Sequence, residues 1–456
     1  MEWITHLLQL ILALLCLFMI FFSISSFYEK ERRAANISLG MAFFILCLFS
    51  LTFVIPESLQ NIVNIVFIMG LLWVLLLFFY PFSKTKLRDE QPADRFDERD
   101  IMFARARLKP GTEHYDAYYE MRPENKEPDD ALRSAPGLLS EKARFYHPLL
   151  FATSKGNFFL TEALHDAIDG PVAESKQETS KEVVTAYIKE LAKSMGAKHV
   201  GVTICNPLHF YSHIGRGSGE FGAEINVEHQ FAIAFTVEMD YEMIGANPLA
   251  PGVIESSRQY VEAAKVAVTI AATIREMGYE ARAHIDGNYR VIAPLVARDA
   301  GLGEIGRMGL LITPDLGPRV RLGVITTNLP LEVNTRKVDD SVSDFCRICK
   351  KCAVNCPGRA IPFRDRTMIE GVSRWQINSE ACFGYWVQCG TDCGRCMTIC
   401  PFAHKNNRLH TFIRWGIRKS YMFRRFALLM DDLFYGRKPK RRSPPNWIEN
   451  VLVKNR

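Results

Sequence analysis

The hydrophobic pattern changes character along the chain. Over the first 82 residues it is continuous, with apolar runs at Ile4–Phe27, Ile37–Ile55 and Ile62–Phe82; each is near the ~20 residues that span a bilayer as a helix. Further on it becomes periodic. Val183, Val184, Tyr187, Ile188, Leu191 and Met195 recur at helical spacing, and Gly196 stops that helix. His199–Cys205, Gln230–Val237 and Val320–Thr326 read as buried strands, Leu310–Thr313 as a short apolar run, and Ile254–Met277 as a long helix ended by Gly278. Strands alternating with helices predict an α/β layer. Residues 84–150 are charged, yet Tyr115, Tyr118, Tyr119 and Tyr146 make them too aromatic for a disordered tether, so they are expected to wrap the domain.

Composition sharpens the membrane end. The first run lacks a basic n-region and a small-residue cleavage site, and two further runs follow it, so it reads as a span rather than a signal peptide. No twin-arginine signal precedes it. The loop after the first span carries Lys30, Arg32 and Arg33, the next (Pro56–Asn61) carries no positive charge, and Lys84, Lys86 and Arg88 follow the third. The positive-inside rule then predicts a multi-pass protein of the inner membrane with its body facing the cytoplasm. Residues 403–456 hold fourteen Lys/Arg against three Asp/Glu, interleaved with Phe412, Trp415, Phe423, Phe426 and Phe434. They read equally as a solvated basic helix or as a contact for anionic membrane lipid. A net charge of +6 on 456 residues gives no reason to expect nucleic acid as a partner.

The chemistry is concentrated in one stretch. Nine of the 12 cysteines fall between Cys346 and Cys400, which fits metal binding in a reducing compartment better than disulfides. Cys346-x2-Cys349-x2-Cys352-x3-Cys356-Pro357 is followed by Cys393-x2-Cys396-x3-Cys400-Pro401. Closely spaced thiolates wrap one face of a cubane, and the fourth, before Pro, reaches a neighbouring cluster. Two such runs imply two [4Fe–4S] clusters; a zinc site would prefer separated CxxC pairs. The second run lacks its first cysteine, leaving Cys382 or Cys389 to supply it. The assignment is Cys346, Cys349, Cys352 and Cys400 on one cluster, with Cys356, Cys382, Cys393 and Cys396 on the other. Gly301-Leu302-Gly303-Glu304-Ile305-Gly306 matches a dinucleotide fingerprint as a string, but that motif needs a strand before it and a helix after it. Here Ile292–Asp299 looks helical, so nicotinamide binding is rejected. Gly301, Gly303 and Gly306 still permit close backbone approach to a flat or bulky cofactor.

Several stretches together resemble the reductive dehalogenases, corrinoid and iron–sulfur enzymes of organohalide reduction. They are Phe96–Arg105 (FDERDIMFAR), Glu238–Ile244 (EMDYEMI), Ser256–Tyr260 (SSRQY), Ala300–Pro314 (AGLGEIGRMGLLITP), Gly317–Leu322 (GPRVRL) and the Cys382 to Cys400 spacing. Cys389 is extra to that pattern, which favours Cys382 as the ligand. The resemblance implies a nitroreductase-like α/β core holding cobalamin, a ferredoxin-like double-cluster domain, and a small organohalide substrate with an unidentified low-potential electron donor. By position it implies Tyr260 as proton donor, with Asn288 and either Arg321 or Arg319 assisting. The expected organisation is a three-helix transmembrane anchor at 1–83, a corrinoid- and substrate-binding α/β domain at 84–334, a double-cluster domain at 335–402, and a basic extension at 403–456 packing on the body. Typical exported members begin with a twin-arginine signal and use a separate anchor, and this chain departs from both.

Residue chemistry supports the same reading. Removing halide reductively takes two electrons and a proton. Two low-potential clusters supply single electrons, a cofactor carries the bond cleavage, and a tyrosine near a cation is an acid whose phenolate is stabilised. Two rivals stand beside it: a corrinoid enzyme of the epoxyqueuosine reductase type, and a membrane-anchored ferredoxin that only relays electrons. An anchor of three spans suits a tRNA enzyme poorly, and some 250 residues of α/β body exceed what two clusters require.

Overall fold

The computed structural model describes residues 2–79 and 91–454, which form two compact units. The first unit joins the N-terminal helices to residues 411–443, and the second comprises residues 86–410 and 444–456.

Helices α1 (Glu2–Tyr28), α2 (Arg32–Leu51) and α3 (Glu57–Phe79) take up the three apolar runs. Each is long and apolar enough to cross a membrane. Polar groups inside this unit pair across helices: Ser23 Oγ donates to the Ala35 carbonyl (2.8 Å) and Asn64 Nδ2 to Thr5 Oγ1 (2.8 Å). In hydrocarbon such groups need an internal partner. Residues 403–456 were expected to pack on the body, but 411–443 cluster with these helices instead. The cause is an aromatic stripe. On the helix Tyr421–Phe434, Phe434 meets Phe22 edge-on at 5.0 Å, and Phe423 and Phe426 meet Phe78 at 5.3 and 5.4 Å. Arg33 Nε caps the Leu433 carbonyl (3.2 Å), and Arg442 pairs with Glu31 (3.1 Å). Lys84, Lys86 and Arg88 lie outside the described residues.

The second unit is built on a four-stranded sheet of β1 (His199–Ile204), β2 (Phe231–Glu238), β3 (Ala281–His284) and β4 (Val320–Thr327), ordered β1-β2-β4-β3 and antiparallel throughout. One register fixes the site: Val237 pairs with Arg321 and Glu238 with Val320. Helix α4 (Pro148–Ala163) packs beside the long α6 (Ala250–Glu276), and α5 (Lys181–Ser194) joins α6 over the sheet. The core is the apolar stripe of α6 (Ala263, Val266, Ala267, Ile270, Ile274) set against Ile233, Phe235, Ala283 and Ile325. The α/β core thus has the expected elements within a few residues. Residues 335–402 share this compact unit with the sheet rather than standing apart.

The segment before Ser140 does wrap the unit. Glu98 is fully buried, ion-paired to Arg216 (3.1 Å) and accepting from the Gly215 and Arg216 amides. Arg105 is buried between Asp129 and Glu380, both at 2.7 Å.

Candidate cluster and proton-donor site

The glycine run follows the short helix Ala293–Asp299 and enters a hairpin of Glu304–Ile305 with Leu311–Ile312, the reverse of the dinucleotide order. Its close approaches are to the chain itself. A Cβ on Gly303 would sit 2.3 Å from the Ile312 carbonyl, and one on Gly306 would lie 3.0 Å from the Ile312 side chain and 3.6 Å from Cys346 Sγ. Gly301 has a positive φ, and a Cβ there would only touch the Arg336 backbone at 3.9 Å.

Helix α7 (Asp340–Cys349) carries Cys346 and Cys349 and ends at Lys350, whose left-handed backbone (φ 56°) starts the turn to Cys352. Cys382 lies on α8 (Ser379–Cys389). Cys393 (φ 53°) and Gly394 (φ 60°) are both left-handed, a conformation costing a non-glycine residue about 1–2 kcal/mol and kept where the fold demands it.

The fold brings the thiols of the two assigned groups close together. Burial, then the charges of Cys346, Cys349 and Cys352, push the Cys400 thiol well above its usual range. Burial, then Cys393, Cys352, Cys382 and Cys356, do the same to Cys396. Burial and the proximity of Cys356 raise Cys382 to about 11. Among the described residues no three His, Cys, Asp or Glu side chains converge tightly enough to hold a single ion, so these groupings are broader than a one-metal site. Thiols kept protonated by burial become ligands by releasing their protons as the metal binds. Cys389 borders the second group but its Sγ is engaged by Thr391, with Oγ1 at 3.2 Å and the carbonyl at 3.4 Å.

A wedge locks the second group onto α6. Pro251 suits the first turn of that helix, and a Cβ on Gly252 would fall 1.5 Å from Asn247 Oδ1. The same carboxamide backs Gly394, where a Cβ would lie 2.1 Å from Nδ2, and Thr391 donates to the Pro248 carbonyl at 2.7 Å.

Between α4, α6 and α8 lies a cavity of about 540 Å³, lined by Tyr260, Asp286, Arg216 and Asp392 and walled by Phe158 and Trp386. Tyr260 sits well inside α6 rather than at its start. Arg321 lies 4.5 Å from the centre of its ring and donates to Asp392 (3.0 Å) and to Ser256 Oγ. Burial raises the Tyr260 hydroxyl to about 12 although Arg321 pulls it down, so the expected net shift toward phenolate is reversed by desolvation. Burial also raises Asp286 and Asp392, with Arg321 opposing it in both, and pushes Tyr289 well up.

Of the paired candidates, Arg319 faces elsewhere. It is buried, binding Glu238 (3.1 Å) and the Met239 and Ala403 carbonyls. Asn288 is buried with its carboxamide held by Ser218 and by Arg282 (3.0 Å). Neither lines the cavity; nor do Gly301, Gly303 and Gly306. Asp286, Tyr289, Arg216, Asn247 and Asp392 escaped the sequence reading. Asp392 alone carried a signal, as the residue preceding Cys393.

Donor set, fold and cavity define a cluster-bearing α/β protein with a buried tyrosine–arginine–aspartate group, and the comparisons agree. Residues 345–404 match the 4Fe-4S dicluster domain. Over 291 residues the chain is 32% identical to a tetrachloroethene reductive dehalogenase of Sulfurospirillum multivorans, covering 56% of this chain and 57% of that one. The structure of a catabolic reductive dehalogenase in complex with 3-bromo-4-hydroxybenzoic acid superposes with a TM-score of 0.63 at 26% identity, over 79% of this chain and 50% of that one. A reductive dehalogenase structure that suggests a mechanism for B12-dependent dehalogenation gives 0.61, also at 26%, over 78% and 49%. The chain is thus similar to reductive dehalogenases in sequence and fold, and spans about half the length of the relatives it matches.

Proposed function

We propose that the protein is a membrane-anchored, cobalamin-dependent reductive dehalogenase of a small organohalide. The observation that carries this reading is the group at the cavity: Tyr260 and Asp392 line it, and Arg321 behind them stacks on the tyrosine ring and binds the aspartate. Cysteine thiols in two abutting groups of four suit two [4Fe–4S] clusters, ligated by Cys346, Cys349, Cys352 and Cys400 and by Cys356, Cys382, Cys393 and Cys396. The cavity's flat apolar walls, Phe158 and Trp386, suit a corrin. When bound, the corrinoid supplies the reductive cleavage of the carbon–halogen bond.

The chain's own residues do the rest. Tyr260 holds its proton at neutral pH and gives it up only where negative charge develops on carbon. Arg321, over the ring, stabilises the resulting phenolate, and Asp392 with Ser256 keeps the guanidinium in place. Phe158 and Trp386 keep water from the reacting carbon. Of the two arginines, Arg321 is the assistant, and Arg319 ties β4 to the chain after Cys400.

The membrane orientation follows from charge. Lys30, Arg32 and Arg33 lie at the end of the first unit where α1 leaves off and α2 begins, and Arg442 reaches Glu31 in the same turn, so that end faces the cytoplasm, beside anionic lipid. An external low-potential donor supplies the electrons.

The test is anaerobic turnover. Full-length protein in detergent, reconstituted with iron, sulfide and cobalamin, is assayed with titanium(III) citrate against a panel of chlorinated and brominated compounds. Halide release dependent on cobalamin supports the reading. Full cluster and cobalamin content without halide release from any of them refutes it, and stable protein with clusters but no cobalt uptake indicates an electron carrier.

A further inference from the structure

Arg307, in the glycine-rich stretch, is among the largest fully buried side chains of the chain. Its guanidinium is satisfied by neutral acceptors. Nε donates to the Cys346 carbonyl (3.1 Å), and Nη1 to the carbonyls of Pro362 (2.8 Å) and Arg364 (2.7 Å). Its flat face lies over Trp375, 4.6 Å from the ring centre. Among the described residues no carboxylate stands within ion-pair distance of it, and Asp365, the carboxylate that acts on it most, is exposed. The groups nearest it in charge are the thiols of Cys352, Cys346 and Cys349. Burying a cation without a counter-ion is costly, so the fold keeps this one against an unfavourable gradient, and it stands beside whatever those thiols hold.

The second thiol group has a neutral neighbour. Asp392, which adjoins Cys393, is paired with Arg321 at 3.0 Å. Each thiolate-ligated cubane gains one unit of negative charge on one-electron reduction, with no bond broken and no proton taken up. A buried cation favours that step and a neutral ion pair does not, and net local charge is one of the determinants of cluster potential.

On the reading that the first group holds a cluster, we infer that Arg307 is the internal counter-cation of the cluster bound by Cys346, Cys349, Cys352 and Cys400, and sets its reduction potential above that of the other. Electrons from the donor then rest on the Arg307 side. The centre beside Cys393, which adjoins the cavity-lining Asp392, fills second and has the stronger tendency to give its electron to the cavity. Arg307 is a positioning and tuning residue, touching neither substrate nor the reacting atoms.

The experiment is a redox titration followed by electron paramagnetic resonance, on full-length holoprotein in detergent, comparing wild type with Arg307→Gln and Arg307→Lys. Cys346→Ser and Cys396→Ser mark which signal belongs to which thiol group. In Arg307→Gln, at unchanged iron content, the signal altered by Cys346→Ser is expected to titrate more negative. Its reduced-to-oxidised ratio at the wild-type midpoint should fall by about tenfold, with the other signal unmoved; Arg307→Lys should recover most of the loss. Unmoved midpoints, or equal shifts in both signals, overturn the inference. Should Arg307→Gln lose a cluster, wild type decides: the inference stands if Cys346→Ser alters the higher-potential signal and falls if it alters the lower. Iron or spectra inconsistent with two cubanes refute the underlying reading itself.

Discussion

The guanidinium of Arg321 stacks on the ring of Tyr260 at 4.5 Å and reaches Asp392 at 3.0 Å. One cation thus joins α6, β4 and the loop that begins with Cys393. The hydroxyl above it is not ionised but driven up by burial to about 12.

Tyr260→Phe keeps the ring and its packing on Phe158 while removing the acid. Iron and cobalamin contents should stay at wild-type levels and turnover should fall by about 10² or more, the usual scale for a lost general acid. Near-normal turnover at saturating reductant would place the proton source elsewhere. Arg321→Ala should also slow turnover, since losing the cation raises the hydroxyl further. Arg319→Ala should act on stability instead, by removing the ties to Glu238 and Ala403.

The pH profile follows with its sign. Only the protonated phenol donates, so activity is present below its pKa and lost as pH rises through it. With that value near 12, kcat/KM should show no alkaline limb from this group between pH 7 and about 10. A limb in that range that moves upward in Arg321→Ala would mean that the hydroxyl is more acidic than its burial implies.

Cys389 is expected to be the spare thiol. It is held by Thr391, so Cys389→Ala should leave about eight irons per chain, whereas Cys382→Ala should lose or convert one cluster, as expected on removing a thiolate ligand. Iron analysis with resonance spectra decides, and the reverse result would exchange their roles.

Arg105→Ala strands Asp129, which is 1% exposed. It should destabilise the second unit by about 3–5 kcal/mol, the range for breaking a buried pair from one side. Chemical denaturation of the holoprotein followed by circular dichroism measures it; a loss under about 1 kcal/mol would mean that the pair relaxes to solvent.

A reporter enzyme fused after Arg456 tests the orientation. Activity restricted to the cytoplasmic form is expected from the basic end of the first unit, and periplasmic activity would invert the topology.

What the sequence disclosed was what depends on local spacing. The apolar runs, the helical repeat of Val184, Ile188 and Leu191, and the cysteine runs each declare themselves within one element. Tyr260 and Arg321 were legible only as members of a family pattern, because their meeting depends on the β2–β4 register and on where α6 crosses the sheet. The direction of the Tyr260 shift was misjudged for a related reason: a neighbouring cation can be guessed from sequence, but the depth of burial that outweighs it cannot. Asp286 became visible only when the turn after β3 was folded against the cavity. The aromatic stripe of Phe423, Phe426 and Phe434 was apparent, but not that it would meet Phe22 and Phe78 in preference to the body.

The membrane unit is assembled from the two flanks of a body that lies between them in the chain. During synthesis α1–α3 emerge first, and the helix that covers Phe22 and Phe78 is made only after the last cluster cysteine has been translated. The bundle therefore stays unfinished until the entire cofactor-binding region has left the ribosome. Completion of the first unit waits on the rest of the chain: one interrupted before residue 411 keeps α1–α3 but leaves Phe22 and Phe78 without the aromatic partners that cover them.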